Sequence, residues 1–279
     1  MNDVLSTALQ GVRVVAVTTN VPGPLAASRL AALGASVVKV EPRRGDPLQT
    51  ASPQWYAELH ERIEVVGLDL ATQADRAALH ERVAEVDLLL TAMRARALER
   101  AGLGWEALHR AYPRLGHVAI VGEPAPHQDR AGHDLTYQAR AGLLSPPAMP
   151  RTLVGDLAAG ERAVSAALSL LHARGRDGRG RRVEIAIVDA ARDFTAPLRH
   201  GLTAPGGVLG GGLATYRLYR ARDGWVAVAA LEAHFVDGLR SLLEIENADP
   251  EAIASAIARR TAAEWERLAQ ACDVPLARI

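Results

Sequence analysis

From Val12 to Ile187, short apolar runs rich in β-branched residues alternate with stretches of helical spacing. Val12 to Val17 reads as a buried strand. Val21-Pro22-Gly23-Pro24 is a turn signal that also suits a helix start. Leu25 to Leu33 follows with helical spacing and is stopped by Gly34 in the C′ position. Ser36 to Val40 is a second strand. Strand, helix and strand within about thirty residues make a βαβ unit, with a parallel pair and a right-handed crossover. The alternation continues with a strand over Val65 to Leu70, a helix over Gln73 to Val83 and a strand over Asp87 to Leu90. A helix over Trp105 to Ala111 and a strand over Leu115 to Val121 come next. Repeated β and α elements of this kind predict a mostly parallel sheet covered on both faces.

A long helical pattern runs from Leu157 to Arg174, ended by Gly175, and Arg182 to Ile187 reads as the strand after it. Gly175-Arg176-Asp177-Gly178-Arg179-Gly180 lies between a helix and a strand. That is the wrong order for a phosphate-cradling motif, so it is a turn. The fold class is therefore α/β: a Rossmann-like doubly wound domain without the usual dinucleotide fingerprint. The Gly/Pro-rich stretch from Thr203 to Gly212 breaks the pattern. Beyond it come strands at Tyr216 to Tyr219 and Trp225 to Leu231, a turn at Asp223-Gly224, and a helix from about Ala233. The expected division is a large domain over residues 1–200, a linker over 201–212 and a small α+β domain over 213–279.

Composition narrows the function classes. About half of the 279 residues are apolar, which is enough for a sizeable core. Basic and acidic residues balance at 32 each, so no basic stripe points to nucleic acid. The single cysteine, Cys272, excludes a disulfide framework within the chain and a cysteine zinc site. A reducing, cytoplasmic setting is expected. Met1-Asn2-Asp3-Val4 has no basic segment followed by an apolar one, so no secretion signal is expected. No apolar run reaches the roughly 18 residues of a membrane span. Lys39 is the only lysine; every other basic residue is arginine.

Three short strings carry candidate chemistry. They are Ala131-Gly132-His133-Asp134, Leu153-Val154-Gly155-Asp156 and Ala230-Leu231-Glu232-Ala233-His234-Phe235. On spacing alone each has a simple structural role. Asp156 is placed to cap the long helix, His133 is a loop histidine, and Glu232 is an acid in a helix's first turn. Arg43, Arg44 and Arg94 read as solvated charges.

Further strings accompany these in order: Gly11-Val12-Arg13-Val14-Val15, Gly23-Pro24, Leu30-Ala31-Ala32-Leu33-Gly34-Ala35, Lys39-Val40-Glu41-Pro42 and Gly45-Asp46. Leu68-Asp69-Leu70, Asp87-Leu88-Leu89, Arg94, Gly102-Leu103-Gly104, Arg174 to Gly180 and Val183 to Asp189 complete the set. Together they resemble the class III CoA-transferase family. His133, in a place where the family's transferases usually carry tyrosine, and Glu232 resemble its α-methylacyl-CoA racemase branch. The sequence departs from the family at Glu61-Arg62-Ile63-Glu64, where an asparagine and a basic pair are usual. The loop between His133 and Asp156 is also shorter. Family chains continue past the small domain, whereas this sequence stops at Ile279.

The resemblance implies an acyl-CoA thioester as substrate, no metal or redox cofactor, and an interlocked homodimer with each site between chains. It implies His133, Asp156 and Glu232 as catalytic residues, with Arg43, Arg94 and Asp134 holding the coenzyme. Inverting a carbon beside a thioester requires two acid–base groups on opposite faces, and an imidazole with a shielded carboxylate suits this. Glu232 would orient His133, and helix-start amides near Asp134 or after Asp156 would face the enolate oxygen. Two other readings stand beside racemisation. One is CoA transfer between carboxylic acids with Asp156 as nucleophile, where the Gly206 to Gly212 stretch would close over a reactive anhydride. The other is a shortened, non-catalytic relative that binds coenzyme A.

Overall fold

The computed structural model describes residues 3–279; Met1 and Asn2, which open the stretch read for a leader, lie outside the described residues. The chain forms two compact units, divided between Phe194 and Thr195.

The first unit is built on six parallel strands: β1 (Arg13–Val17), β2 (Ser36–Glu41), β3 (Glu64–Gly67), β4 (Leu88–Thr91), β5 (Gly116–Val121) and β6 (Arg182–Ala186). Their order is β3-β2-β1-β4-β5-β6. β1 pairs with both β2 and β4, with Val15 opposite Val38 on one side and Leu89 on the other. The order reverses at β1, and it is there, beyond the carboxyl ends of the strands, that open α/β sheets form their crevice.

Period-two alternation divides the core. Val14 and Ala16 of β1 face one side with Leu88 and Leu90 of β4. Val15, Val17 and Leu89 face the other. The first side is covered by helices Pro22–Ala32, Val154–Asp177 and Ile187–Phe194. Helices Gln73–Ala84, Ala95–Arg100 and Trp105–Ala111 cover the second. Alanines on the first side, among them Ala26, Ala27, Ala159 and Ala163, are almost wholly buried. Such small side chains let the long helix lie close to Pro22–Ala32.

Several boundaries differ from expectation. The helix expected over Leu25 to Leu33 starts at Pro22, because Pro22 and Pro24 sit in its opening turn, where proline's missing N–H costs nothing. The long helix runs through Gly175 and ends at Gly178, whose φ of 72° supplies the left-handed cap. Ile187 opens a helix instead of closing β6.

The second unit has its own core. Antiparallel strands β7 (Tyr216–Arg220), β8 (Trp225–Ala229) and β9 (Leu276–Arg278) form a sheet in that order. Helices Ala233–Leu243, Pro250–Ile257 and Ala262–Ala271 complete it, burying Val226, Leu239, Ile253 and Trp265 with the sheet. The Gly/Pro-rich stretch belongs to this unit and is internally hydrogen-bonded. Gly207 N–H donates to the Ala204 carbonyl (2.7 Å) and Leu209 N–H to that of Leu202 (2.8 Å).

Candidate active site

Two cavities open at the carboxyl ends of the large sheet. The larger, of about 690 Å³, lies beyond β1, β2 and β3; Glu41, Arg43, Arg44, Asp69 and Arg100 are among its walls. The smaller, of about 240 Å³, lies beyond β1, β4 and β5. It is lined by His133 and Asp156, with Asn20, Arg94, Arg130 and Tyr137 among the others. Thr19 and Met93 line both.

His133 is the N-cap residue of helix Asp134–Ala141. Its backbone N–H donates to the Thr136 hydroxyl (3.2 Å), and that hydroxyl donates to the His133 carbonyl (2.8 Å). The imidazole is thereby left at the cavity, on an exposed residue. Gly122 and Gly132 press on the buried Tyr137 ring beneath this loop; a β-carbon on either would overlap the Tyr137 hydroxyl. Glycine at these two places lets the loop lie flat on the tyrosine.

Asp156 does not cap the long helix, as its spacing suggested. The N-cap is Leu153, and Asp156 is the third helical residue. The cap comes from another segment. Buried Asp134 accepts the Asp156 backbone N–H at 3.0 Å through Oδ1. Its other oxygen accepts from Gln138 Nε2, which also donates to the Thr152 carbonyl at 2.8 Å. The Asp156 carboxyl is therefore released from backbone duty and faces the cavity.

A helix start favours ionised carboxylates, yet the Asp156 carboxyl is pushed up to about 7, first by burial and then by the negative Asp134 beside it. An acid titrating near neutrality can both take and give a proton there. Asp134, read from the sequence as a coenzyme contact, is buried and gives its carboxyl to the Asp156 amide and to Gln138. The amide of Asp156 is engaged by Asp134, and those of Thr136 and Tyr137 by the His133 carbonyl.

Of the coenzyme candidates, Arg94 shares the smaller cavity and Arg43 lines the larger. Arg43 is already committed to Asp75, with Nη2 2.9 Å from Oδ2 and 3.0 Å from Oδ1. Arg44 and Arg100, beside it, also line the larger cavity. Glu232 lies in the second unit, exposed, as the N-cap residue of Ala233–Leu243, without a side-chain bond to that helix.

A group that sequence reasoning missed joins the two cavity walls. The ammonium of Lys39, wholly buried on β2, meets Glu41 Oε2 at 2.7 Å and Asp46 Oδ2 at 2.6 Å, and lies 4.9 Å from the centre of the Tyr56 ring. Asp46 Oδ1 accepts the N–H of Leu48 (3.0 Å), capping helix Pro47–Ala51, and that of Asn20 (2.9 Å). Glu41 lines the larger cavity and Asn20 the smaller.

The profile of CoA-transferase family III matches residues 9–279. This chain belongs to that family. Its curated relatives fall in both branches. It is 32% identical to a succinyl-CoA–D-citramalate CoA-transferase of Chloroflexus aurantiacus, over 65% of this chain but 49% of the relative. It is 30% identical to the human α-methylacyl-CoA racemase, over 96% of this chain and 78% of the relative. The chain thus spans from about half to about four-fifths of the length of these family III relatives. A solved hypothetical protein of Mycobacterium tuberculosis has the same fold, with a TM-score of 0.83 at 25% identity, over 96% of this chain and 82% of the other.

Proposed function

We propose that this family III chain racemises the α-carbon of a 2-methylacyl-CoA by two-base proton transfer. The observation that carries the reading is one cavity walled by His133 and by Asp156, whose carboxyl is pushed up to about 7. In one direction Asp156 takes the α-proton and His133 returns one to the opposite face; in the other they exchange roles. The enolate oxygen would meet the amide at the start of helix Asp134–Ala141. The coenzyme's phosphates would meet Arg44 and Arg100 in the larger cavity, with Arg43 and Arg94 beside them. Glu232 as the partner of His133, and a homodimer, rest on the family resemblance.

A second reading is favoured by the transferase relatives. In CoA transfer, the Asp156 carboxylate attacks the thioester carbonyl and expels the CoA thiolate, giving an acyl–aspartyl anhydride; the thiolate then attacks the aspartyl carbonyl, giving an aspartyl-CoA thioester and releasing the first acid, and an acceptor carboxylate takes the CoA by the same two steps in reverse.

Proton NMR of a 2-methylacyl-CoA in heavy water, with no second acid, separates the two. Loss of the α-proton signal is expected, slowed roughly a hundred- to ten-thousandfold in His133→Ala and in Asp156→Ala. A folded, CoA-binding sample that leaves the α-proton in place but moves CoA between two acids would overturn the first reading for the second. Binding with neither activity would leave a non-catalytic relative.

A further inference from the structure

Asn20 lies just past the end of β1, where the strand order reverses, and lines the smaller cavity with His133 and Asp156. Its backbone is left-handed, with a φ of 65°. L residues take that conformation at a cost, which asparagine bears better than most and glycine does not pay at all. Among the described residues Glu244 and Asp273 are the other non-glycine cases, and both lie in the second unit.

Buried charge holds this turn in place. The Asn20 N–H donates to Asp46 Oδ1 at 2.9 Å, and Asp46 Oδ2 meets the Lys39 ammonium at 2.6 Å. Asp46 and Lys39 are buried, whereas Asn20 is exposed at the cavity. The backbone is therefore tied down and the side-chain amide is spare: among the described residues it has no hydrogen-bond partner. That amide carries two N–H donors. A strained backbone kept at a cavity wall, where glycine would relieve the strain, points to use of the side chain.

Removing the α-proton of a thioester moves negative charge onto its carbonyl oxygen, which has two lone-pair directions to satisfy. A backbone amide at a helix start fills one of them. A neutral side-chain amide bonds modestly to a ground-state carbonyl and more strongly to an enolate oxygen, so its effect falls on the transition state. We propose that Asn20 is a catalytic residue whose side-chain amide donates to the thioester oxygen, held there by the bond from its backbone to Asp46. This rests on the acyl-CoA reading above and adds a residue to its machinery.

The thioester carbonyl itself is the probe. Infrared difference spectra of the full chain with 2-methylpropanoyl-CoA, unlabelled and isotope-labelled at the carbonyl carbon, read the hydrogen bonding to that oxygen. The carbonyl band is expected at lower frequency in the wild-type complex than in the Asn20→Gly complex. In heavy water, α-proton loss at saturating thioester should slow about a hundred- to a thousandfold in Asn20→Gly, with KM changed by less than about threefold. Asn20→Asp keeps the shape, removes both donors and turns a negative charge toward the oxygen, so it should slow exchange at least as much. Glycine keeps the left-handed turn, so a merely structural Asn20 predicts the wild-type band and rate in Asn20→Gly. That result, or slower exchange with an unmoved band, would overturn the proposal. A wild-type chain that binds the thioester without exchanging its α-proton removes the racemase reading alone, and the band comparison still decides Asn20. If a folded wild-type sample binds no thioester, both fall. Should Asn20→Gly not fold, the same readings on Asn20→Asp decide.

Discussion

Asp134 has two separable effects on the acid beside it. As a hydrogen-bond acceptor it holds the Asp156 amide, and as a charge it raises the Asp156 carboxyl. Asp134→Asn keeps an acceptor and removes the charge. The Asp156 pKa should fall in that variant, and the acid limb of a kcat/KM–pH profile should move to lower pH with it. Asp134→Ala also removes the cap, which should cost about 1 kcal/mol in urea unfolding. The arrangement explains what was legible at this scale. The strings around His133 and Asp156 pointed to two residues that do share a cavity. The spacing before the long helix pointed to the wrong capping residue, because the acceptor is Asp134, 22 residues earlier. Arg130 and Asn20 carried no signal beyond nearness to quoted strings, since lining a cavity is a property of the folded sheet.

Elements were legible where burial is simple. Strands flanked on both sides, such as β4 and β5, consist of apolar residues almost throughout, and these runs stand out. Helices Pro47–Ala51 and Pro53–His60 did not stand out. Each opens on a proline that reads as a turn, and the first is held by Asp46, a cap whose other oxygen is tied to Lys39 on β2. β9 is three residues long and exists by pairing with β8, so no local pattern announces it. The Lys39 group fixes β2, the turn at Asn20 and helix Pro47–Ala51 to one another. Lys39→Met removes the cation and leaves two buried carboxylates facing each other. The expected loss is about 3–5 kcal/mol, read from the urea midpoint, because a broken buried pair costs far more than a surface one.

At the scale of the whole molecule, the raised Asp156 carboxyl makes stability depend on pH. The folded chain keeps that proton up to about pH 7, and the unfolded chain loses it near the ordinary value of 3.8. Between those values the folded state binds more protons, so stability falls as pH rises through the window and levels off above it. At about 1.4 kcal/mol per pH unit the full effect approaches about 4 kcal/mol, and solvent at the cavity mouth lowers it to about 1–3 kcal/mol. Asp156→Asn should therefore be more stable than the wild-type chain by about that amount at pH 8 and show little advantage at pH 4, measured by urea unfolding at both. A group that costs the fold stability at neutral pH, in a cavity at the switch point of the sheet, is what a site kept for chemistry presents.

The buried lysine also changes how the protein meets reagents. Lys39 is the chain's sole lysine and has no exposed surface. Acylating reagents, amine crosslinkers and lysine-directed enzymes therefore find no side-chain amine on the folded molecule. Modification of Lys39 requires β2 and its neighbours to open, so the rate at which that one amine becomes labelled reports the opening of the sheet beside both cavities.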